Sequence, residues 1–263
     1  MPHTMSSLEI TAVTDPGQVR SNNEDSVSAS PDLGLVVLAD GMGGHLAGEV
    51  ASGLAVELIT QHVGDALDNS PEQDVESGQS VESRSIGQAI KLANSTIYEA
   101  SQTQPECAGM GSTIVAVLFH GSKMAVGHVG DSRLYRLRNG ELEQVTIDHS
   151  VVQELLSRGL ITPEEAKTSH NKNLVTRALG IEADVEVDVQ ELEVEPNDVY
   201  LLCSDGLSDV FSDDIILQML LEKNGNLEET AQYMVNEVNT NGGPDNVSII
   251  LIRTENEFTR TKQ

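Results

Sequence analysis

Residues Ser112–Val129, STIVAVLFHGSKMAVGHV, hold two apolar runs, Ser112–Phe119 and Lys123–Val129, separated only by His120-Gly121-Ser122. Strands joined by so short a link run antiparallel, because a parallel return needs a crossover of a dozen or more residues. The arrangement recurs downstream. Leu134–Arg138 and Leu142–Thr146 flank Asn139-Gly140, residues that accept the positive φ of a two-residue hairpin turn. Ser7–Val13, Val199–Cys203 and Val247–Ile252 read as further strands, and the unbroken apolar run Leu33–Ala39 suits a strand buried on both faces. Helical stripes come in pairs. Leu46, Val50, Leu54 and Leu58 recur at helical spacing, and a second helix over about Ser85–Gln102 carries Ile86, Ala89, Ile90, Ala93 and Ile97. Ser212–Glu222 and Leu227–Asn239 form the later pair, the last opened by Asn226 with Glu229 in capping-box spacing. Hairpin-like strands and paired helices predict an α+β chain of antiparallel sheets with helices packed outside them.

Other segments are less regular. Val185, Val187 and Val189 alternate with Asp184, Glu186 and Asp188, but Leu192 and Val194 follow in the opposite phase, which predicts a bulge or turn near Gln190. Asp65–Arg84 is rich in Ser, Gln, Asp and Glu and reads as an acidic surface connection. Asp148–Ala178 is polar and partly helical, an excursion from the sheets. These boundaries give one domain over 7–254, with a loose tail at 1–6 and another at 255–263.

Fifteen Lys and Arg stand against 42 Asp and Glu, a net charge of −27. Such a surface is repelled by nucleic-acid and membrane phosphates, and with no Trp, 4 Tyr and 3 Phe there is little on which to stack bases. Cys107 and Cys203 lie beside apolar residues and read as buried free thiols of a reducing compartment, with one bridge between them as the alternative. No apolar run approaches a membrane span, and Met1–Ile10 has no basic start and no apolar stretch of the kind that opens a secretory signal. A cytoplasmic monomer is the expectation.

A chemical pattern repeats at the strand ends. An apolar strand, a small residue and then Asp occur as Leu38-Ala39-Asp40-Gly41, Val129-Gly130-Asp131-Ser132 and Cys203-Ser204-Asp205-Gly206, and Pro244-Asp245-Asn246 leads into a strand. Any one Asp-Gly is a common turn. Four carboxylates at the rim of rigid sheets are another matter: where they converge they repel, and either a proton or a cation must offset them. Oxygen donors without a Cys or His cluster favour Mg²⁺ or Mn²⁺. A two-metal carboxylate site commonly activates water for attack on phosphorus. A Ca²⁺ loop of Asp-x-Asp-x-Asp-Gly spacing is not found.

The chain resembles the bacterial single-domain form of the metal-dependent type 2C protein phosphatases. The resemblance rests on Arg20-Ser21-Asn22-Asn23-Glu24-Asp25, Asp40-Gly41-Met42-Gly43-Gly44-His45, Gly130-Asp131-Ser132-Arg133, Ser204-Asp205-Gly206 and Gly243-Pro244-Asp245-Asn246-Val247-Ser248, in the family's order. It implies a four-layer α-β-β-α sandwich of two antiparallel sheets, and hydrolysis of phosphoserine and phosphothreonine in proteins by a metal-bridged water without a phosphoenzyme. It implies two Mg²⁺ or Mn²⁺ ions and a possible third. Asp40 would bridge the two ions, Asp205 and Asp245 would bind the first, and the Gly41 carbonyl the second. Asp131 would join Asp205 at the third position. Glu24 and Asp25 would orient metal-bound waters, and Arg20 would bind the phosphate through its planar donor fork. Met42 stands where eukaryotic members carry His. His45 is therefore a candidate proton donor for the leaving alkoxide, with a metal-bound water as the alternative. Residues 148–178 match the family's flap. The implied partners are phosphoproteins and an opposing kinase. The competing reading is an inactive relative that binds phosphoproteins or a kinase without turnover.

Overall fold

A computed structural model describes residues 8–43, 47–69, 79–167, 169, 171, 174–223 and 225–260. Its strands are β1 (Leu8–Asp15), β2 (Asp25–Ser30), β3 (Leu35–Met42), β4 (Gly111–Ser112), β5 (Ile114–His120), β6 (Lys123–Val129), β7 (Arg133–Arg138), β8 (Glu141–Gln144), β9 (Asp188–Glu193), β10 (Val199–Cys203) and β11 (Val247–Thr254). Helices α1 (Ala47–Asn69) and α2 (Val81–Thr103) lie early, α3 (Val151–Ser157) and α4 (Pro163–Lys167) in the excursion, and α5 (Asp205–Ser208), α6 (Asp213–Glu222) and α7 (Leu227–Thr240) late.

The strands form two antiparallel sheets, one ordered β1-β11-β10-β7-β8, the other β2-β3-β5-β6-β9 with β4 added to β3. Alternation along each strand divides its side chains between two apolar layers. In β3, Leu35, Val37 and Ala39 pack with Ile59, Ile86 and Ile90 of the first helix pair. Val36 and Leu38, beside Val115 and Val117 of neighbouring β5, face the other sheet, where Tyr200, Leu202 and Ile250 meet them. A third layer sets Leu201, Ile249 and Leu251 against Ile216, Met234 and Val238 of α6 and α7. The result is the expected α-β-β-α sandwich. The Asn139-Gly140 turn has φ of 53° and 83°, as the hairpin requires.

Several boundaries differ from the sequence reading. The connection placed at 65–84 is shorter: α1 continues to Asn69 and α2 begins at Val81. Ile59 and Val63 are buried and Leu67 packs against the same core, so the apolar stripe carries the helix onward. Ser80 caps α2, its Oγ accepting the Ser83 N–H at 3.1 Å. β2, Asp-Ser-Val-Ser-Ala-Ser, is an edge strand without an apolar run. No bulge occurs at Gln190, which pairs in register with Val126. The phase change arises because Val185 and Val187 pack toward the helices, whereas Leu192 and Val194 pack between the sheets. The segment 255–263 is not wholly a tail. Phe258 exchanges two backbone hydrogen bonds with Gly121 at 2.8 and 3.0 Å and is buried in the inter-sheet core. The tail expected at 1–6 lies outside the described residues.

Candidate metal centre

Strand register brings the candidate aspartates to one end of the sandwich. Asp25 opens β2 opposite Asp40 near the end of β3. Asp205 follows β10, Asp245 precedes β11, and β10 and β11 are paired at Cys203 and Ile249. Asp131 follows β6. Asp40-Gly41 is not a turn, because β3 continues to Met42 and pairs with β4, Gly41 opposite Ser112. Glycine is needed at 41 for close approach: a Cβ there would lie 2.1 Å from the Gly48 carbonyl oxygen. At Gly206 a Cβ would lie 1.9 Å from the carbonyl oxygen of Asn246.

The electrostatics fit a cation. Burial, then the charges of Asp25, Asp205, Asp131 and Asp245, push the Asp40 carboxyl well above its ordinary range. Burial and the charges of Asp131, Asp209, Asp245 and Asp25 do the same to Asp205. Burial pushes Asp25 and Asp131 up to about 6. Asp25 Oδ1 is buried and accepts no hydrogen bond. Mutually repelling oxygens and an unpartnered buried acceptor are the donor set of a hard divalent ion.

Arg20 brings positive charge to this end. Its exposed guanidinium donates from Nη2 to Asp245 Oδ2 at 2.7 Å. Glu24 is half-buried, its carboxyl tucked against Gly48 in the first turn of α1. Burial outweighs the opposing pull of Arg20 and raises its pKa. His45 lies outside the described residues, so the structure neither joins it to the site nor separates it. Among the described candidates, Arg20, Glu24, Asp25, Asp40, Gly41, Asp131, Asp205 and Asp245 are brought together.

Four further side chains hold this arrangement and were not singled out from sequence. Ser204 Oγ donates to Asp25 Oδ2 at 2.8 Å and accepts the Ser248 N–H at 3.0 Å, joining the two sheets. Asn246 accepts the Glu24 N–H at 2.8 Å and donates to the carbonyls of Pro16 and Asn22 at 3.0 and 2.9 Å. Thr113 Oγ1 accepts the Asp40 N–H at 3.1 Å and bonds Ser132 Oγ at 2.7 Å. Ser204 and Asn246 flank the motif aspartates, but adjacency does not reveal which backbone groups they hold. Both cysteines are buried free thiols, and burial pushes Cys203 up to about 12, which leaves it protonated and non-nucleophilic at neutral pH.

The chain matches the family model described as Protein phosphatase 2C over residues 18–248. It is 42% identical over 244 residues to the serine/threonine protein phosphatase PstP of Mycobacterium tuberculosis, covering 93% of this chain and 44% of that protein. The chain thus spans under half the length of that relative. It is 36% identical to the serine/threonine phosphatase stp of Listeria monocytogenes, covering 92% of this chain and 94% of the relative. Among solved structures, that of the M. tuberculosis phosphatase PstP/Ppp superposes with a TM-score of 0.83 at 41% identity, covering 94% of this chain and 99% of that one. The PstP catalytic domain, described in complex with two manganese ions, gives 0.80 at 40% identity, covering 95% and 99%. A family match across most of the chain, together with relatives of this identity and coverage, establishes that the chain belongs to the protein phosphatase 2C family.

Proposed function

We propose that the chain hydrolyses phosphoserine and phosphothreonine monoesters in proteins, using Mn²⁺ or Mg²⁺. The observation that carries this reading is the convergence of Asp25, Asp40, Asp131, Asp205 and Asp245 at one end of the sandwich, where burial makes Asp25, Asp40, Asp131 and Asp205 harder to ionise and the charges of nearby carboxylates add to it. Asp40, Asp205, Asp245 and the Gly41 carbonyl would hold two ions, and Asp131 with Asp205 a third. Bound there, divalent ions supply positive charge to phosphoryl oxygens and lower the pKa of water toward neutrality. Buried Asp25 and half-buried Glu24 would orient water held there. Arg20 lies at the exposed edge, where its donor fork suits two oxygens of an incoming phosphate. Phosphoproteins and the kinase that modifies them are the proposed partners, with the chain acting in the cytoplasm as a monomer. No helix among the described residues is long and apolar enough to cross a membrane.

Turnover of p-nitrophenyl phosphate and of a phosphothreonine peptide with Mn²⁺ tests the reading. Activity should vanish with chelator and in Asp40→Asn and Asp205→Asn proteins that remain folded. A folded wild-type protein that binds Mn²⁺ and phosphopeptide without turnover would favour the binding-module reading. His45→Ala, compared on the peptide and on the activated aryl phosphate, tests the proton donor. A loss confined to the peptide supports that role, and equal losses remove it.

A further inference from the structure

His149 stands at the base of the excursion, buried at 7% exposure. It makes a reciprocal pair with one residue: its backbone N–H donates to the Gly130 carbonyl at 2.9 Å, and its Nδ1 accepts the Gly130 N–H at 3.0 Å. Gly130 has a φ of 109°, and a Cβ there would lie 2.6 Å from Thr113 Cβ. Asp131 follows directly. The other edge of the ring faces outward: Nε2 lies 3.4 Å from Asp188 Oδ2 and 3.2 Å from Arg177 Nη1. The His149 carbonyl accepts the Thr176 N–H at 2.8 Å, so the start and end of the excursion meet on this residue.

The ligand atoms of His128, His149 and Asp188 lie within 4.8 Å of one another, a spacing that a metal ion would accept. The hydrogen bonds assign the cluster differently. An Nδ1 that accepts from Gly130 leaves the proton on Nε2, which then donates toward Asp188. Arg177 Nη1, itself only a donor, gives its protons to Asp188 Oδ1 at 2.8 Å and the Glu186 carbonyl at 3.2 Å rather than to Nε2, so neither nitrogen of His149 has a lone pair free for an ion. His128, stacked on His149 with ring centres 4.6 Å apart, turns Nε2 to the Ile147 carbonyl at 3.0 Å. Burial, then His128 and Arg177, lower the pKa of His149, in keeping with a neutral ring.

We propose that His149 is a positioning residue: in its neutral Nε2–H form it locks the Gly130 peptide and so sets the direction of the Asp131 carboxylate, tying that carboxylate to the closed base of the 148–178 excursion. The inference rests on the reading of Asp131 as a ligand of the third ion. Its role depends on where the acceptor sits, which distinguishes it from space filling. His149→Asn keeps an acceptor at the δ position, whereas His149→Gln moves it one bond outward.

The test measures Mn²⁺ binding by the EPR signal of free Mn²⁺, without substrate, in wild type, both His149 variants and Asp131→Asn. Long-range ¹⁵N NMR of the metal-free wild type reads the imidazole tautomer. The expected result is an Nε2–H tautomer and a weakest Mn²⁺ step loosened about tenfold or more in His149→Gln, as is usual for groups that orient metal ligands. His149→Asn should stay close to wild type, and Asp131→Asn should lose the step. An Nδ1–H tautomer overturns the proposal, as do equal losses in the Asn and Gln variants or wild-type binding in the Gln variant. Wild-type binding in Asp131→Asn instead refutes the ligand reading of Asp131, and this inference falls with it.

Discussion

Ser204 has no charge and no metal-binding role, yet it connects Asp25 to the Ser248 backbone across the two sheets. Ser204→Ala removes the donor to a buried carboxylate and leaves the Ser248 N–H without its acceptor. An unsatisfied buried group costs roughly 1–3 kcal/mol. The urea midpoint of the variant should fall correspondingly, and an unchanged midpoint would show that water replaces the hydroxyl. Gly206→Ala should cost more. The added Cβ meets backbone, the Asn246 carbonyl at 1.9 Å, and backbone cannot swing aside as a flexible side chain does. Overpacking typically costs about 1–3 kcal/mol and sometimes more. The same shift displaces Asn246, whose side chain orders the Glu24 loop. A loss of phosphatase turnover larger than the loss of folded protein, measured on the same preparation, is the expected signature.

At the scale of elements, Phe258 shows how a short segment completes a core. It bridges Gly121 in the β5–β6 turn, and a Cβ on Gly34 would lie 2.7 Å from its ring. Phe258→Ala should lower stability by about 3 kcal/mol, the lower end for large core truncations because the ring lies at the edge of the layer. A chemical-denaturation midpoint equal to wild type would return 255–263 to the status of a tail. Phe258 was not legible because a lone aromatic among polar residues has no periodicity. β5, β6 and β10 were legible because both of their faces are buried, so the apolar run is unbroken. β2 was not, since an edge strand of Ser, Ala and one Val needs little apolar surface. The aspartates were readable because strand ends put them after apolar runs. The side chains that orient them were less so: Thr113 acts on Asp40 across 73 positions, and Asn246 on Glu24 across 222, and no local pattern encodes such a contact.

For the whole molecule, the net charge of −27 and the acidic centre both make the metal-free fold sensitive to pH. Burial and mutual repulsion place the folded-state pKa of Asp25 and Asp131 at about 6, and those of Asp40 and Asp205 well above 3.8. A carboxyl whose pKa is raised by folding binds more protons folded than unfolded. Its contribution therefore favours folding at low pH and is lost as pH rises from the ordinary carboxylate range through the folded value. His128 and His149 act oppositely, because burial lowers their pKa values and their charging below about 6.5 costs stability. The raw pH profile mixes these opposing contributions. The difference between Mn²⁺-loaded and chelator-treated protein separates them, because the histidines contribute to both states and cancel to first order. Protons and Mn²⁺ compete for the same carboxylates, so the rise in melting temperature on adding Mn²⁺ should be large at pH 7.5 and shrink steadily toward pH 5.5. Matching ionic strength with NaCl removes the general screening of the −27 charge, which any salt provides. A Mn²⁺ increment that is flat across this range, or one that NaCl reproduces, would mean that the aspartates at the end of the sandwich are not where the ion binds.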